Sequence, residues 1–373
     1  MTVKNIAVLF GGVSPEHEVS IVTGLQVMEH LDRDLYFPLA WMVTGQGELY
    51  YLQGCHDRKS FASALKKRLY LGYDAETMSP YFVLEGCEIK HPLYCAINAM
   101  HGGGGEGGAM AGLAASFSIP QSSETVESAS ICMNKTLTKI IVQEAGVRIV
   151  PYRSLQRVQF QYIDEFCQSV VGVLGFPLII KPAHLGSSIA ISVAHSLAEL
   201  ELAIQGSLQV DREVVVEQYM SDCAEYNCSV RRVNGKIEVS PIEQPIKQNQ
   251  MLSFEDKYLR GAKKLGGMSD LPRKVPAPIT PDLAAQIVAE AKKVYLACRC
   301  QGVVRIDWIV HAELLYCNEI NPIPGSLASY LWETTGELFR AQLHQLILQT
   351  RERWFSSPLL CVETSDLVKK FTR

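Results

Sequence analysis

The sequence predicts an α/β protein with more than one domain, and three observations support this. The apolar run IAVLF at residues 6–10 leads through a Gly-Gly turn into a helical pattern, which begins a strand-helix-strand unit. That pattern places Val19, Val22, Leu25 and Met28 at three- and four-residue spacing. The chain has 373 residues, of which 47% are hydrophobic, and this length suits two or three domains.

Charge and cysteine content exclude several classes of protein. With 39 acidic and 35 basic side chains and a net charge of −4, no global basic field exists to hold nucleic acid or an anionic membrane. We therefore expect neither partner, and any phosphate must be held locally. Eleven cysteines without a C-x-x-C pair indicate reduced, mostly buried thiols. The opening MTVKNIAVLF lacks the long apolar core of a signal peptide, and no apolar run approaches the roughly 18 residues of a membrane helix. These features predict a cytoplasmic protein.

The first half of the chain continues with alternating apolar runs and one long helical pattern. The apolar run at 93–100 ends at His101 and a glycine run, so the first domain is expected to finish near residue 123. The predicted elements are strands at 36–42 and 93–100 and a helix from about 130 to 145, closed by Gly146.

The second half contains an unusual polar stretch at 244–274 that has no strong period. A connection of this length inside a compact domain is more often an active-site lid than padding. The predicted elements around it are strands at 176–182 and 213–220, a helix at 281–299, and two final strands, GVVRIDWIV and ELLYCNEIN.

The strongest group of polar side chains lies in these two final strands. Glu319 and Asn321 are two residues apart and share a face, where Asp307 of the neighbouring strand can meet them. Two carboxylates and an amide oxygen suit Mg²⁺ with positions left open for phosphate oxygens, whereas the alternative is an edge strand with solvated acids. Arg305 shares the face of Asp307 and is expected to neutralise phosphate charge. Its alternative role is a structural ion pair with Glu319.

Two lysines are candidates for the same nucleotide site. Lys135 lies on the predicted helix, and Lys181 ends the strand FPLIIKP. After Lys181, Gly186, Ser187 and Ser188 can offer backbone N–H groups and hydroxyls to phosphate oxygens. Surface lysines and an ordinary hairpin turn are the alternatives.

The segment VVVEQYM and the residues after it are candidates for binding a nucleoside. Glu217 is placed to accept from an adenine amino group, and the backbone of Tyr219 and Met220 to match the ring edge. Glu225 is placed to hold ribose hydroxyls. The spacing alone does not demand adenine.

In this order, the motifs resemble the D-alanine:D-alanine ligase family of ATP-grasp enzymes over nearly the whole chain. The resemblance implies an α/β, three-domain ATP-grasp fold with a Rossmann-like N-terminal domain. The implied domains are 1–123 for substrate, 124–217 as the central lobe, and 218–373 as the C-terminal lobe with metal site and lid. The stretches that carry the resemblance are LFGGVSPEHEVS, HGGGGEGGAMAGL, ICMNKTLTK, IIKPAHLGSSIAIS, VVVEQYMSDCAEY, FEDKYLRG, and RIDWIV with NEINPIPGS.

The resemblance also implies roles for residues on the substrate side. Glu16 looks like the acid that binds the first D-alanine ammonium, and Ser187 and Tyr258 join it in a hydrogen-bonded group over the second substrate. Lys257 and Tyr258 lie in the lid-like stretch, Lys257 toward the nucleotide. A tyrosine at 258 is similar to dipeptide-forming members rather than to relatives that use D-lactate. The remaining implied substrate residues are His101, Ser326, Ser329 and Leu331, with either serine as the family's hydroxyl, and a backbone N–H near Gly325.

The reaction implied is ATP-dependent joining of two D-alanine molecules for peptidoglycan precursor synthesis. The first carboxylate attacks the γ-phosphate to give an acyl phosphate, and the second amine then attacks its carbonyl while Arg305 and the N–H near Gly325 hold the oxyanion. The implied cofactors are ATP and two Mg²⁺ ions, which Mn²⁺ can replace. Relatives imply a homodimer.

Two departures from the family pattern concern the second substrate. In HGGGGEGGAMAG, Gly107 replaces an aspartate and Ala111 a glutamine, which either loosens this end of the site or only changes capping and packing. After Gly325, SLASYLWE stands where a Thr-x-x-Ser pattern is common. The alternatives are therefore a ligase that uses D-serine, glycine or another small amino acid, and a non-catalytic nucleotide-binding relative.

Overall fold

The computed structural model describes residues 3–74, 76–77, 79–246 and 272–356. Within these ranges the chain forms three main sheets with helices packed between and around them, which confirms the α/β prediction. Among the described helices, none combines the length and the apolar content needed to cross a membrane. Of the ten cysteines described, eight are buried and all have free thiols, as the sequence predicts.

The first sheet is built around a parallel core of three strands. Strand β1 pairs in parallel with β2 and β7, and antiparallel strands extend the sheet in the order β6-β5-β4-β3-β2-β1-β7. The strands predicted at 36–42 and 93–100 are present as β2 and the shorter β7. The elements are β1 (Lys4–Gly11), α1 (His17–His30), β2 (Tyr36–Val43), β3 (Leu49–Gln53), α2 (Arg58–Phe61), β4 (Leu65–Asp74), β5 (Ser79–Leu84), β6 (His91–Pro92), β7 (Cys95–Asn98), α3 (Gly103–Glu106) and α4 (Ala109–Ser116).

Both faces of β1 are buried, as expected for a central parallel strand. Ile6, Val8 and Phe10 lie in one apolar cluster with α1 and with the last helix of the described chain. Ala7 and Leu9 lie in a second cluster, on the side of α4. The alternation of strand side chains therefore fixes which helices cover each face.

The helix predicted from about residue 130 to 145 is interrupted at Asn134. Two helices stand there, α5 (Val126–Met133) and α6 (Lys135–Glu144), separated by Asn134 in an extended conformation (φ −93°, ψ 106°). The Asn134 side chain accepts a hydrogen bond from Leu137 N at 3.0 Å, so it caps α6. Because of this break, Lys135 lies in the first turn of α6.

The second sheet is antiparallel, in the order β10-β9-β11-β8. The strands predicted at 176–182 and 213–220 are β9 and β11, each slightly shorter than predicted. The remaining elements of this region are β8 (Tyr152–Gln156), a 3-10 helix (Arg157–Tyr162), α7 (Ile163–Leu174), β9 (Leu178–Pro182), β10 (Ser192–Ala194), α8 (Leu197–Val210) and β11 (Glu213–Gln218).

The third sheet has the order β13-β12-β16-β17 and ends in the hairpin that carries the predicted metal residues. Most of the polar stretch 244–274 lies outside the described residues, and its two ends pair as β14 with β15. The elements are β12 (Ala224–Val233), β13 (Lys236–Val239), β14 (Gln244–Pro245), β15 (Arg273–Lys274), α9 (Pro281–Ala297), β16 (Val304–His311), β17 (Leu314–Asn321), a 3-10 turn (Gly325–Ala328), α10 (Ser329–Glu333) and α11 (Phe339–Ser356).

The last helix of the described chain returns to the first sheet. Phe339, Leu343 and Ile347 of α11 are buried in the cluster that contains Ile6 and Val8. The division into 1–123, 124–217 and 218–373 stays a prediction. Helix α11 belongs to the third of these predicted domains and packs against the first.

Glu124 ties the beginning of α5 to the loop that leads into β16. Its buried carboxylate accepts hydrogen bonds from Gln301 N at 2.6 Å, Gly302 N at 2.7 Å and Ser128 Oγ at 3.1 Å. A Cβ added at Gly302 would lie 3.1 Å from this carboxylate, so the two chain segments are in close contact. Glu124 therefore helps to fix where β16 begins.

We expect Glu124→Gln to lower the free energy of unfolding by about 1–3 kcal/mol, because the new amide group would face a buried backbone donor. Urea unfolding followed by circular dichroism measures this. Glu127→Gln is the matched control on the same helix, since Glu127 is exposed and paired with Arg299 at the surface. It is expected to change stability by less than about 0.5 kcal/mol. Equal effects of the two substitutions would contradict the role of Glu124.

Candidate active site

The hairpin β16–β17 brings the three predicted metal residues together. Asp307 lies opposite Glu319 in the strand register, and Arg305 lies opposite Asn321. The Asn321 amide nitrogen donates to Asp307 Oδ2 at 3.3 Å. All of these side chains are half-buried. Two carboxylates and an amide oxygen on one face form a donor set of hard oxygens that fits Mg²⁺.

Arg305 forms a two-pronged ion pair with Asp307. Its Nε donates to Oδ1 and its Nη2 to Oδ2, both at 2.7 Å. The acid that pairs with this arginine is therefore Asp307 rather than Glu319. The two-residue strand period alone did not decide between these two acids. A guanidinium held in this way is a fixed positive charge beside the candidate metal site.

Glu217 is buried between two lysines. Its Oε2 lies 2.9 Å from Lys181 Nζ, and its Oε1 lies 3.0 Å from Lys139 Nζ. Burial alone would raise the pKa of Glu217, but the two ammonium groups lower it to about 2. The carboxylate therefore acts as the counter-ion of two lysines. Both of its oxygens, which were expected to face adenine, are engaged by these lysines.

Lys181 and Lys135 both face the hairpin. Lys181 Nζ also donates to Asn318 Oδ1 at 3.2 Å, next to Glu319, and Glu217 raises the pKa of Lys181 against the effect of burial. Lys135 Nζ donates to the carbonyl oxygen of Leu185 at 2.6 Å. Burial lowers the pKa of Lys135, and the charge of Lys181 lowers it further.

The predicted pair of Glu16 and Ser187 is present as a hydrogen bond from Ser187 Oγ to Glu16 Oε1. Ser187 and Ser188 have positive φ values of 52° and 61°, so their loop turns tightly. A Cβ at Gly186 would lie 3.3 Å from Glu16 Oε2, which shows how closely this loop approaches the carboxylate. Lys257 and Tyr258 lie outside the described residues.

The predicted nucleoside residues lie between the second and third sheets. Tyr219 follows β11, and its backbone N–H donates to the carbonyl oxygen of Pro177 at 3.0 Å. Met220 comes next, and Glu225 is the second residue of β12, opposite Ile309.

The substrate residues expected near Gly325 pack against α1. Ser326 Oγ donates to Gln26 Oε1 at 2.7 Å, and Thr23 Oγ1 lies 2.8 Å from His101 Nε2. Burial lowers the pKa of His101 to about 4, so the ring is neutral near pH 7. The other two expected residues, Ser329 and Leu331, are buried at the beginning of α10.

Gly107 lies where an added side chain would meet backbone. A Cβ there would come within 2.9 Å of the Gly103 carbonyl oxygen. Ala111 is buried in α4. The two departures from the family pattern are therefore packed positions in this chain.

Sequence reasoning did not single out Lys139 or Glu106 as site residues. Glu106 is buried, and its carboxylate accepts from Gly102 N at 2.8 Å and from Ile323 N at 3.3 Å. Burial raises the pKa of Glu106 to about 8, and the nearby Glu16 carboxylate raises it as well. One glutamate inside a run of glycines was the available signal for Glu106, and the four-residue spacing from Lys135 was the signal for Lys139.

The raised pKa of Glu106 predicts a pH-dependent stability. Below its ordinary pKa of 4.5 the carboxyl is protonated in both folded and unfolded chains. Between 4.5 and about 8 only the unfolded chain releases the proton, so the free energy of unfolding falls as pH rises, by up to about 1.4 kcal/mol per pH unit. Glu106→Gln removes this slope, so the stability of the variant relative to the parent should rise through the window. Urea unfolding at several pH values measures the difference, and a difference that does not vary with pH would contradict the assignment.

Two models of one family match the chain. The D-ala D-ala ligase N-terminus matches residues 5–123, and the D-ala D-ala ligase C-terminus matches residues 141–348. The D-alanine–D-alanine ligase of Thermosipho melanesiensis is 31% identical over 366 residues, covering 97% of this chain and 98% of the relative. That of Wolinella succinogenes is 33% identical over 350 residues, covering 92% and 93%.

A solved structure shows the same fold. The D-alanine-D-alanine ligase from Coxiella burnetii has a TM-score of 0.80 at 22% identity and covers 95% of this chain and 96% of its own. This similarity confirms the predicted ATP-grasp architecture. The chain therefore belongs to the D-alanine–D-alanine ligase family.

Proposed function

We propose that this protein joins two D-alanine molecules to D-alanyl-D-alanine, with conversion of ATP to ADP and phosphate, for peptidoglycan precursor synthesis. The observation that carries the proposal is that Lys181 and Lys135 lie near the face of the hairpin β16–β17 that carries Glu319 and the Arg305–Asp307 pair. Such a site holds a cation and a triphosphate together. The family uses ATP and Mg²⁺ in general. We further propose two Mg²⁺ ions, replaceable by Mn²⁺, and a cytoplasmic homodimer.

Asp307, Glu319 and Asn321 would hold the magnesium. When bound, Mg²⁺ supplies charge neutralisation at the phosphate oxygens. Lys181, Lys135 and Arg305 supply further positive charge, and the loop with Ser187 and Ser188 supplies hydroxyl and backbone donors. The adenine ring is proposed to lie against the backbone of Tyr219 and Met220, with Glu225 at the ribose and Lys257 toward the nucleotide. Glu217 enters this proposal as the counter-ion of the lysines.

The first step is attack of a D-alanine carboxylate oxygen on the γ-phosphorus of ATP. The P–O bond to ADP breaks, and an acyl phosphate forms. Glu16 binds the ammonium group of this first D-alanine. The carboxylate of the D-alanine is thereby held in line with the γ-phosphate. The side chains around the cleft position the reactants and balance charge, and the enzyme itself forms no covalent bond.

The second step is attack of the amine of the second D-alanine on the acyl phosphate carbonyl. The tetrahedral oxyanion is stabilised by Arg305 and a backbone N–H near Gly325. The C–O bond to phosphate then breaks, and the departing phosphate takes the proton that the amine loses. Ser187, with Tyr258 and the residues His101, Ser326, Ser329 and Leu331, is proposed to position this second substrate. A buried, neutral His101 fits a role in which it donates or accepts a hydrogen bond without adding charge.

Phosphate release with ATP, Mg²⁺ and single amino acids tests this function. We expect release with D-alanine alone. Release only when D-alanine is mixed with D-serine or glycine would move the assignment to a ligase with a different acceptor. If no pair of amino acids gives phosphate release, the proposed ligase activity is contradicted.

Glu319→Ala is expected to lower kcat by at least about 100-fold, because the cation loses one of its carboxylates. Steady-state phosphate release measures it. The matched control is Glu313→Ala at the exposed turn of the same hairpin, which should keep kcat within about twofold of the parent. Parent-like turnover of Glu319→Ala would contradict the metal assignment.

A further inference from the structure

Lys139 is a fully buried lysine that the proposed reaction does not use directly. Its side chain is 1% exposed, and it lies one turn after Lys135 in α6. Among the described residues, the carboxylate ion-paired with it is that of Glu217, with the Nζ–Oε1 distance at 3.0 Å. The Tyr152 ring lies 5.6 Å from the same ammonium group. A buried ammonium group without a carboxylate partner would be strongly unfavourable, so the two residues depend on each other.

The other oxygen of Glu217 holds Lys181. Lys181 Nζ lies 2.9 Å from Oε2 and 3.2 Å from Asn318 Oδ1, and it is 9% exposed. In the triad of Lys139, Glu217 and Lys181, Lys181 is thus the lysine that contacts the hairpin β16–β17, whereas Lys139 lies on the other oxygen of Glu217. An anion that binds beside this hairpin must compete with Glu217 for Lys181.

When Lys181 leaves Glu217 for a phosphate, the buried carboxylate of Glu217 loses a partner, and Lys139 reduces the cost of that loss. If Glu217 had Lys181 as its sole partner, movement of Lys181 toward a phosphate would leave a buried carboxylate unpaired. With Lys139 in place, Glu217 keeps one ammonium partner at all times. Lys181 is then able to contact phosphate while Glu217 stays neutralised.

We propose that Lys139 is a positioning residue that keeps Glu217 neutralised and so leaves Lys181 available to the phosphates of ATP. This inference rests on the proposed function, because it assigns Lys181 to the triphosphate. Lys139 itself does not touch the nucleotide. Its effect passes through the carboxylate it shares with Lys181.

Calorimetric titration of the full-length protein with Mg²⁺ and the non-hydrolysable analogue AMP-PNP tests the proposal. Lys139→Met is expected to raise the Kd for AMP-PNP at least about tenfold, since Lys181 stays on Glu217. The Kd for adenosine, which has no phosphates, should change by less than about threefold. Lys293→Met is the matched control, because Lys293 is an exposed lysine of α9 paired with Glu290. It should leave both constants unchanged.

The decisive variant is the double substitution Lys139→Met with Glu217→Gln. Without a carboxylate at 217, Lys181 is no longer held back, so the Kd for AMP-PNP should return to within about threefold of the parent. A purely structural role of Lys139 predicts no such rescue. A double variant as weak as Lys139→Met would overturn the proposal, as would parent-like AMP-PNP binding by Lys139→Met.

If Lys139→Met does not fold, the comparison moves to the Glu217→Gln background. There, adding Lys139→Met should change the Kd for AMP-PNP by less than about threefold, and a tenfold loss would overturn the proposal. The parent protein separates this inference from the function itself. A parent that fails to bind AMP-PNP contradicts the proposed ATP-dependent reaction, whereas a parent that binds it and tolerates Lys139→Met contradicts only the role of Lys139.

Discussion

The register of the hairpin β16–β17 is the constraint on which the rest of the site depends. It places Asp307 opposite Glu319 and Arg305 opposite Asn321, so one face carries all the oxygen donors and a fixed cation. A shift of one residue would turn these side chains into the apolar core and bring Ile306 and Ile320 into the cleft. The pairing irregularity between Asp307 and Trp308 lies directly after the acid. Glu124 supports the same register by fixing the loop that precedes β16.

The second feature is that charged side chains around the site are paired with one another within the protein. Arg305 is paired with Asp307, and Lys139 and Lys181 share Glu217. Each of these groups has a partner of opposite charge inside the protein, which offsets the cost of burying it. ATP binding at Lys181 therefore has to replace an existing ion pair with Glu217. This is why a lysine behind the cleft is able to affect affinity for phosphate.

Much of the fold and part of the site were predictable from the sequence, because both rest on local periods. Apolar runs predicted some of the strands in each of the three sheets, and the two-residue strand period placed Glu319 and Asn321 on one face. Strands β3, β4 and β5 of the first sheet were not predicted. The break of the predicted helix was missed because Asn134 looks like an ordinary helix residue until its side chain caps Leu137 N. The partner of Arg305 could be identified only from the structure. In the sequence pattern, Asp307 on the same strand and Glu319 on the next strand both share a face with Arg305.

The charges of the buried triad could not be read from the sequence for a different reason. Lys139 and Glu217 are 78 positions apart, on α6 and β11, and they meet only in the folded chain. In the sequence, Lys139 is one of several lysines at helical spacing, and its burial is decided by tertiary packing. Glu106 is similar, because its raised pKa depends first on its burial in the folded chain and then on the nearby charge of Glu16.

A crystal structure of the protein with AMP-PNP, Mg²⁺ and D-alanine tests the central claim most directly. The account predicts a cation about 2.0–2.1 Å from oxygens of Asp307, Glu319 and Asn321. It also predicts Lys181 Nζ on a phosphate oxygen while Lys139 remains on Glu217. A cation bound away from this hairpin, or Lys181 still paired with Glu217 in the complex, would contradict it.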